Sequence, residues 1–323
     1  MNGPLIVTLT MNPALDVTAE AERVMPTDKI RCHTETYDAG GGGVNVARFA
    51  RALGADVCAV LTSGGPIGAH LVELLDDARV PSTVVAVQGV TRQSFTVNES
   101  STGRQYRFVL PGPVLTAEEQ SRCLEILGTV AAGADFVVAS GSLPPGAPTD
   151  FYQRVADLCR RHGARLILDT SGGGLRHITS GVFLLKPSVR ELRECVGRQL
   201  VTEDEQIDAA RELIDRGVAD VIVVSLGADG ALLVTGEQSC RFASIAVPTV
   251  SGVGAGDAMV AGIVVALSRG WDMDAAVRYG IAAATAKLQT AGTSAIEKDV
   301  VERYFGRVEA ATAAVAECSD FGL

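Results

Sequence analysis

The chain of 323 residues is 47% hydrophobic, 20% charged and 5% aromatic, which supplies one large aliphatic core and excludes a disordered polymer. With 28 basic against 38 acidic residues its net charge is -10, so no extended basic face exists for nucleic acid or an anionic membrane, and an anionic small molecule would need local cations and backbone N–H groups. Seven cysteines without a Cys-x-x-Cys pair and four scattered histidines argue against a zinc site or a disulfide framework and for a reducing, cytoplasmic compartment.

Leu5–Thr10 is a short apolar run that reads as a buried strand, and no charged segment followed by a long apolar one precedes it, so a secretory leader is not expected. Four glycines in Ala39–Ala47 then feed the helix-like Val44–Leu53. A dinucleotide-binding turn would need a buried strand before those glycines, whereas Lys29–Asp38 is polar; backbone packed against a polar ligand, with Asn45 reaching its hydroxyls, fits better. Cys58–Thr62 is the next strand. Gln93–Asn98 and Gln105–Leu110 alternate apolar with polar residues around Ser100-Ser101-Thr102-Gly103, which predicts a hairpin. Arg92, Ser94 and Thr96 share one face of it, Phe95 and Val97 the other, and Tyr106 and Phe108 oppose Arg107 on the return strand. Segments of about 11–37 and 88–111 therefore read as a small β lid.

Phe136–Ser140, Leu166–Asp169, Phe183–Leu185 and Val221–Ser225 are further buried strands, with helix-like Thr149–Arg161 and Asp204–Arg216 among them. The strand-like Ile245–Val250 leads through Gly252–Asp257 into an apolar helix, Ala258–Leu267, too short to span a bilayer. This alternation predicts an α/β fold, a three-layer α/β/α sandwich around a mostly parallel sheet, with ligands at the C-terminal strand ends. One domain over 1–310 is expected, with the lid inserted in it and an alanine-rich tail, 311–323, that frays.

The sharpest motif is Gly252-Val253-Gly254-Ala255-Gly256-Asp257. Small residues at a helix N-terminus leave N–H groups open to a phosphate, and an aspartate there is electrostatically odd unless it takes a proton from an attacking hydroxyl. The other reading is an ordinary helix start with a dipole-compensating Asp. No Gly-Lys-Ser or Gly-Lys-Thr occurs, which removes the P-loop class, and Asp320-Phe321-Gly322 lacks the catalytic loop that would make it a protein-kinase signature.

These segments also carry a resemblance. Asn12–Asp16, Gly40–Arg48, Thr91–Gln93, Gln105–Phe108, Ser140–Gly146, Lys186-Pro187, Val224–Gly227 and Gly254–Asp257, in that order, resemble the ribokinase-like sugar kinases of the phosphofructokinase B branch. The resemblance implies a ribokinase-like fold and an ATP-dependent sugar-phosphate kinase with Mg2+ as cofactor. Asp257 would be its base, and Gly254, Ala255 and Gly256 the anion hole. Asp16, Gly41, Gly42, Asn45 and Ser140 would bind the sugar, Arg92 and Arg107 its phosphate, and Lys29 with Arg31 would reach a neighbouring subunit's site in a homodimer formed through the lid. Lys186, Ser188, Ser225, Gly227 and Gly230 would meet the nucleotide, and Glu191 the magnesium ion through water. Ser188 stands where the family has Asn, and Gly252 where many relatives have Thr. Fructose 6-phosphate, phosphorylated at its C1 hydroxyl, is the substrate expected first; tagatose 6-phosphate and fructose 1-phosphate are its rivals, and a non-catalytic sugar-phosphate or nucleotide sensor is the alternative of another class.

Overall fold

The computed structural model describes residues 6–319. In chain order β1 (Ile6–Thr10), β2 (Ala14–Ala21) and β3 (His33–Gly40) lead into α1 (Gly42–Ala52), followed by β4 (Val57–Ser63), α2 (Gly65–Asp77) and β5 (Ser82–Ala86). A hairpin of β6 (Arg92–Glu99) and β7 (Gln105–Val109) precedes α3 (Ala117–Val130), β8 (Phe136–Ser140), α4 (Phe151–His162), β9 (Arg165–Asp169), α5 (Gly173–Arg176) and β10 (Val182–Leu185). The chain closes with α6 (Val189–Val196), α7 (Glu203–Asp215), β11 (Ala219–Ser225), β12 (Ala231–Thr235), β13 (Ser239–Phe242), α8 (Ala255–Ser268), α9 (Met273–Leu288) and α10 (Lys298–Ser319).

Nine strands form the central sheet in the order β13-β12-β11-β10-β9-β8-β1-β4-β5, parallel except for the antiparallel pairs β11–β12 and β12–β13. Both faces are covered, which is why strands such as Ile6–Thr10 read as unbroken apolar runs. Along β11 the side chains alternate between two cores: Val221 and Val223 join the layer of α1, α8 and α9, while Ile222 and Val224 join that of α3, α4 and α7. The expected α/β/α sandwich is therefore present.

The lid is a second sheet, ordered β3-β2-β6-β7, whose strands reach slightly past the expected segments, to Gly40 on one side, and stop at Val109 on the other. Across it Asp16 pairs with Ser94, Thr18 with Thr96, and Thr96 in turn with Arg107, on the face toward the sandwich. Val17, Tyr37, Phe95 and Phe108 share the opposite face, where Phe108 is 55% exposed.

Two expectations need correction. Ile245–Val250 is not a strand; Val250 and Ser251 donate their N–H groups to Leu288 O, at 2.8 and 3.2 Å, so this segment is tied to the end of α9 rather than to a ladder. The apolar helix starts at Ala255, three residues before the expected Ala258. The helix α10 crosses the expected boundary at 311, and 320–323, with Asp320-Phe321-Gly322, lie outside the described residues, as does Leu5. Among the described residues no helix is long and apolar enough to cross a membrane.

Candidate active site

The floor of the site lies where the C-terminal ends of β1 and β8 meet the first turn of α1. Gly41 adopts φ +107, a conformation L side chains rarely adopt, with Thr10 Cγ2 only 2.9 Å from where its Cβ would sit. A methyl group on Gly42 would collide with Ser140 Oγ, and one on Gly43 with Leu9 O. The glycine run is thus wedged between two sheet strands. Ser140 is 1% exposed and packs beneath this run, so it supports the floor. The Asp16 carboxylate lies across Gly40, where a side chain would strike it. Asn45 donates through Nδ2 to Asp257 Oδ2 at 2.9 Å, and its own Oδ1 is buried with no partner. A buried acceptor of this kind is what a ligand hydroxyl would satisfy.

The α8 N-terminus forms the second wall. Gly254 caps it in the left-handed conformation, φ +77; in the first turn that follows, Ala255 N donates to Gly252 O at 3.4 Å, while the N–H groups of Gly256 and Asp257 lie among small neighbours. Burial raises the Asp257 carboxyl to about 7; Asp169 adds to the rise, whereas the Asn45 amide and Lys186 oppose it. Lys186 Nζ would lie 3.8 Å from a Cβ on Gly256, so its ammonium flanks the same helix start. Lys186 pairs with Asp169 Oδ1 at 3.1 Å, and that partner keeps it protonated despite burial.

From the lid, Asp16, Ser94, Thr96 and Arg107 share one cavity with Val253 and Gly292 of the sandwich. Burial raises Asp16 to about 6, against the pull of Arg107 and Arg92. Arg92 is partly engaged: Nε and Nη2 donate to Asn12 O at 3.3 and 3.1 Å, and Nη1 donates to Leu110 O at 2.9 Å. Arg107 is thus the freer guanidinium. Lys29 and Arg31 are exposed on the segment between β2 and β3 and do not line this cavity.

A cleft of about 570 Å³ runs from the other side of the α8 start, lined by Ser225, Gly227, Gly230, Gly252, Ala255 and Gly256 among others. Ser225 N donates to Pro187 O at 2.8 Å, joining the strand-end turn to the Lys186 segment. Ser188 caps α6 instead of reaching into the cleft: Ser188 N and Oγ both donate to Glu191 Oε2 at 2.8 Å, and Glu191 N returns a bond to Ser188 Oγ at 3.3 Å. Glu191 Oε1 takes part in none of these. Asp169, and Lys287 of α9, were not foreseen from the sequence; only Asp169 had a signal, as an acid closing a buried strand.

The arrangement offers a buried carboxyl with a raised pKa, a glycine-lined helix start, a lysine beside it, and two cavities that flank the α8 start carrying Asp257. It can move a phosphoryl group between them. A profile described as pfkB family carbohydrate kinase matches residues 6–299. The chain is 62% identical over 302 residues, 94% of its length and 89% of the relative's, to the ATP-dependent 6-phosphofructokinase isozyme 2 of Mycobacterium tuberculosis. Phosphofructokinase-2 of Escherichia coli, solved with fructose-6-phosphate, superposes with TM-score 0.88 at 35% identity, covering 95% of this chain and 99% of that one. A tetrameric inhibited form of the same enzyme gives 0.89 at equal identity and coverage. Arabidopsis thaliana ribokinase, at 22% identity and TM-score 0.74 over 94% and 99% of the two chains, shares the fold.

Proposed function

The chain belongs to the pfkB family of carbohydrate kinases and is an ATP-dependent phosphotransferase; within that class we propose that it phosphorylates the C1 hydroxyl of fructose 6-phosphate, giving fructose 1,6-bisphosphate. The observation that carries this reading is the seat of Asp257, bonded to Asn45 on the sugar side and backed by the first-turn N–H groups of α8 on the nucleotide side. Asp257 takes the proton of the C1 hydroxyl. Asp16 and Asn45 hold neighbouring hydroxyls, and Arg107 grips the sugar phosphate with a planar fork that suits its oxygens. The N–H groups at the α8 start, with Lys186, stabilise the negative charge on the moving phosphoryl; positioning and electrostatics supply most of the acceleration in such transfers.

ATP would lie in the cleft bounded by Ser225, Gly227 and Gly230. Among the described residues no three potential ligands gather to hold a metal ion. That fits Mg2+ carried mainly by nucleotide phosphates and water, with the unused Glu191 Oε1 as an outer acceptor. When bound, the ion would neutralise phosphate charge. A cytoplasmic place of action fits an ATP-consuming enzyme with buried Cys123 and Cys159, whose thiols burial pushes up to about 12.

The deciding experiment is ADP release measured with fructose 6-phosphate, tagatose 6-phosphate and fructose 1-phosphate. Fructose 6-phosphate should have the highest kcat/KM. Preference for another sugar phosphate would move the substrate, and no ADP from any would favour a sensor. Arg107→Ala should raise KM for fructose 6-phosphate by about 10- to 100-fold with kcat less affected, the loss of one charge-assisted contact; an unchanged KM would place the phosphate elsewhere.

We also infer a homodimer through the outer lid face, where Tyr37, Phe95 and Phe108 are exposed beside one another, with Lys29 and Arg31 serving the neighbour's site. Phe108→Asp should shift the protein to half its mass in light scattering. A variant that keeps the wild-type mass would put the interface on another face.

A further inference from the structure

Lys287 is a lysine with no exposed surface, in the last turn of α9. Charged side chains are almost never so buried without partners. Its Nζ donates to Thr290 Oγ1 at 2.6 Å and to Gly292 O at 2.7 Å, closing the turn that follows the helix. Gly292 belongs to the wall of the cavity that Asp16 and Arg107 share. On the other flank, the Lys287 stem lies under the anion hole: its Cε is 3.5 Å from where a Cβ on Gly254 would sit, as is Phe49 Cζ. The next residue, Leu288, accepts through its carbonyl the N–H groups of Val250 and Ser251 that lead into the glycine segment. One helix end therefore grips both sides of the reaction centre.

We propose that Lys287 is a positioning residue for phosphoryl transfer, a fixed internal cation that joins the 290–292 turn to the Gly254 anion hole and lends it positive charge. This rests on the kinase reading above. The groups that act on its ammonium are Asp257 of α8 and Asp38 of β3, which favour the charge, and Arg48 of α1, which opposes it. Burial dominates and lowers Lys287 to about 8. The cation is thus present at neutral pH and lost as pH rises through about 8, whereas Asp257 becomes a competent base as pH rises through about 7. The two groups bracket the working range.

The test compares Lys287→Met, which keeps the stem and removes the charge, with the wild type. Expected are a kcat lower by about 10- to 100-fold, a smaller loss than for a direct oxyanion donor, and KM values for both substrates within about threefold. In kcat/KM against pH, which reports the free enzyme, the wild type should fall on the alkaline side near 8 toward the variant's level, and the variant should lack that limb. A folded variant with kcat within twofold of an active wild type overturns the proposal and leaves the kinase reading standing. If the variant does not fold, the wild-type profile decides alone: kcat/KM flat from pH 7.5 to 9.5 overturns it, and an alkaline limb near 8 supports it. A wild type that phosphorylates no sugar phosphate would overturn the kinase reading, and this one with it.

Discussion

Asp257→Asn is expected to lower kcat by about 10² to 10⁴ while sugar-phosphate binding stays within a few-fold of the wild type. The amide cannot accept the hydroxyl proton, yet it keeps the size and the oxygen that faces Asn45 Nδ2. The same change should stabilise the protein. Burial holds the native Asp257 carboxyl near 7, above its ordinary value of 3.8, so between those two pH values the unfolded chain has released a proton that the native state retains. Native stability falls as pH rises through that window and levels off above it. The asparagine variant escapes the loss, by about 2 to 4 kcal/mol at pH 8, and the advantage should vanish below about pH 4. Urea unfolding at pH 4 and pH 8, beside a rate assay, checks both halves. Near wild-type turnover in the variant would remove Asp257 from the role of base. In the wild type, kcat/KM should drop as pH falls below about 7, because only the ionised carboxylate accepts a proton.

Lys186→Met is the second large effect. Lys186 and Asp169 are 6% and 15% exposed and 3.1 Å apart, so removing the ammonium strands a carboxylate in the interior. Breaking such a pair costs about 3 to 5 kcal/mol of stability. The rate should fall more than about a hundredfold as well, since the cation beside the anion hole is gone. The double variant Lys186→Met with Asp169→Asn separates the two consequences: it should recover most of the stability and none of the rate. Equal losses in both variants would mean that the pair does not exist as described.

What the sequence revealed follows from how each part is built. The parallel strands were readable because they are buried on both faces, and the glycine segments because a backbone that approaches a ligand or a strand admits little else. Ile245–Val250 misled for a physical reason: Ile245 and Val247 are apolar because they line the nucleotide cleft, not because they pair in a sheet. The hairpin's alternation revealed two faces and which of them, the polar one with its arginines, could meet a ligand; the apolar face with Phe95 and Phe108 is the outward one. Lys29 and Arg31 are exposed and do not line the lid cavity. The Lys186–Asp169 pair joins the ends of β9 and β10, and Lys287 is one cation among alanines, so neither leaves a local pattern.

The wedged glycines set a limit on how this scaffold can diversify. Enlarging position 42 or 43 would push on Ser140 or on the backbone of β1, and with it the centre of the nine-stranded sheet. A descendant that accepts a differently shaped carbohydrate must therefore leave that half of its receptor alone and rewrite Thr18, Ser94 and Thr96 on the inner lid face, where side chains line the cavity rather than hold up the sheet.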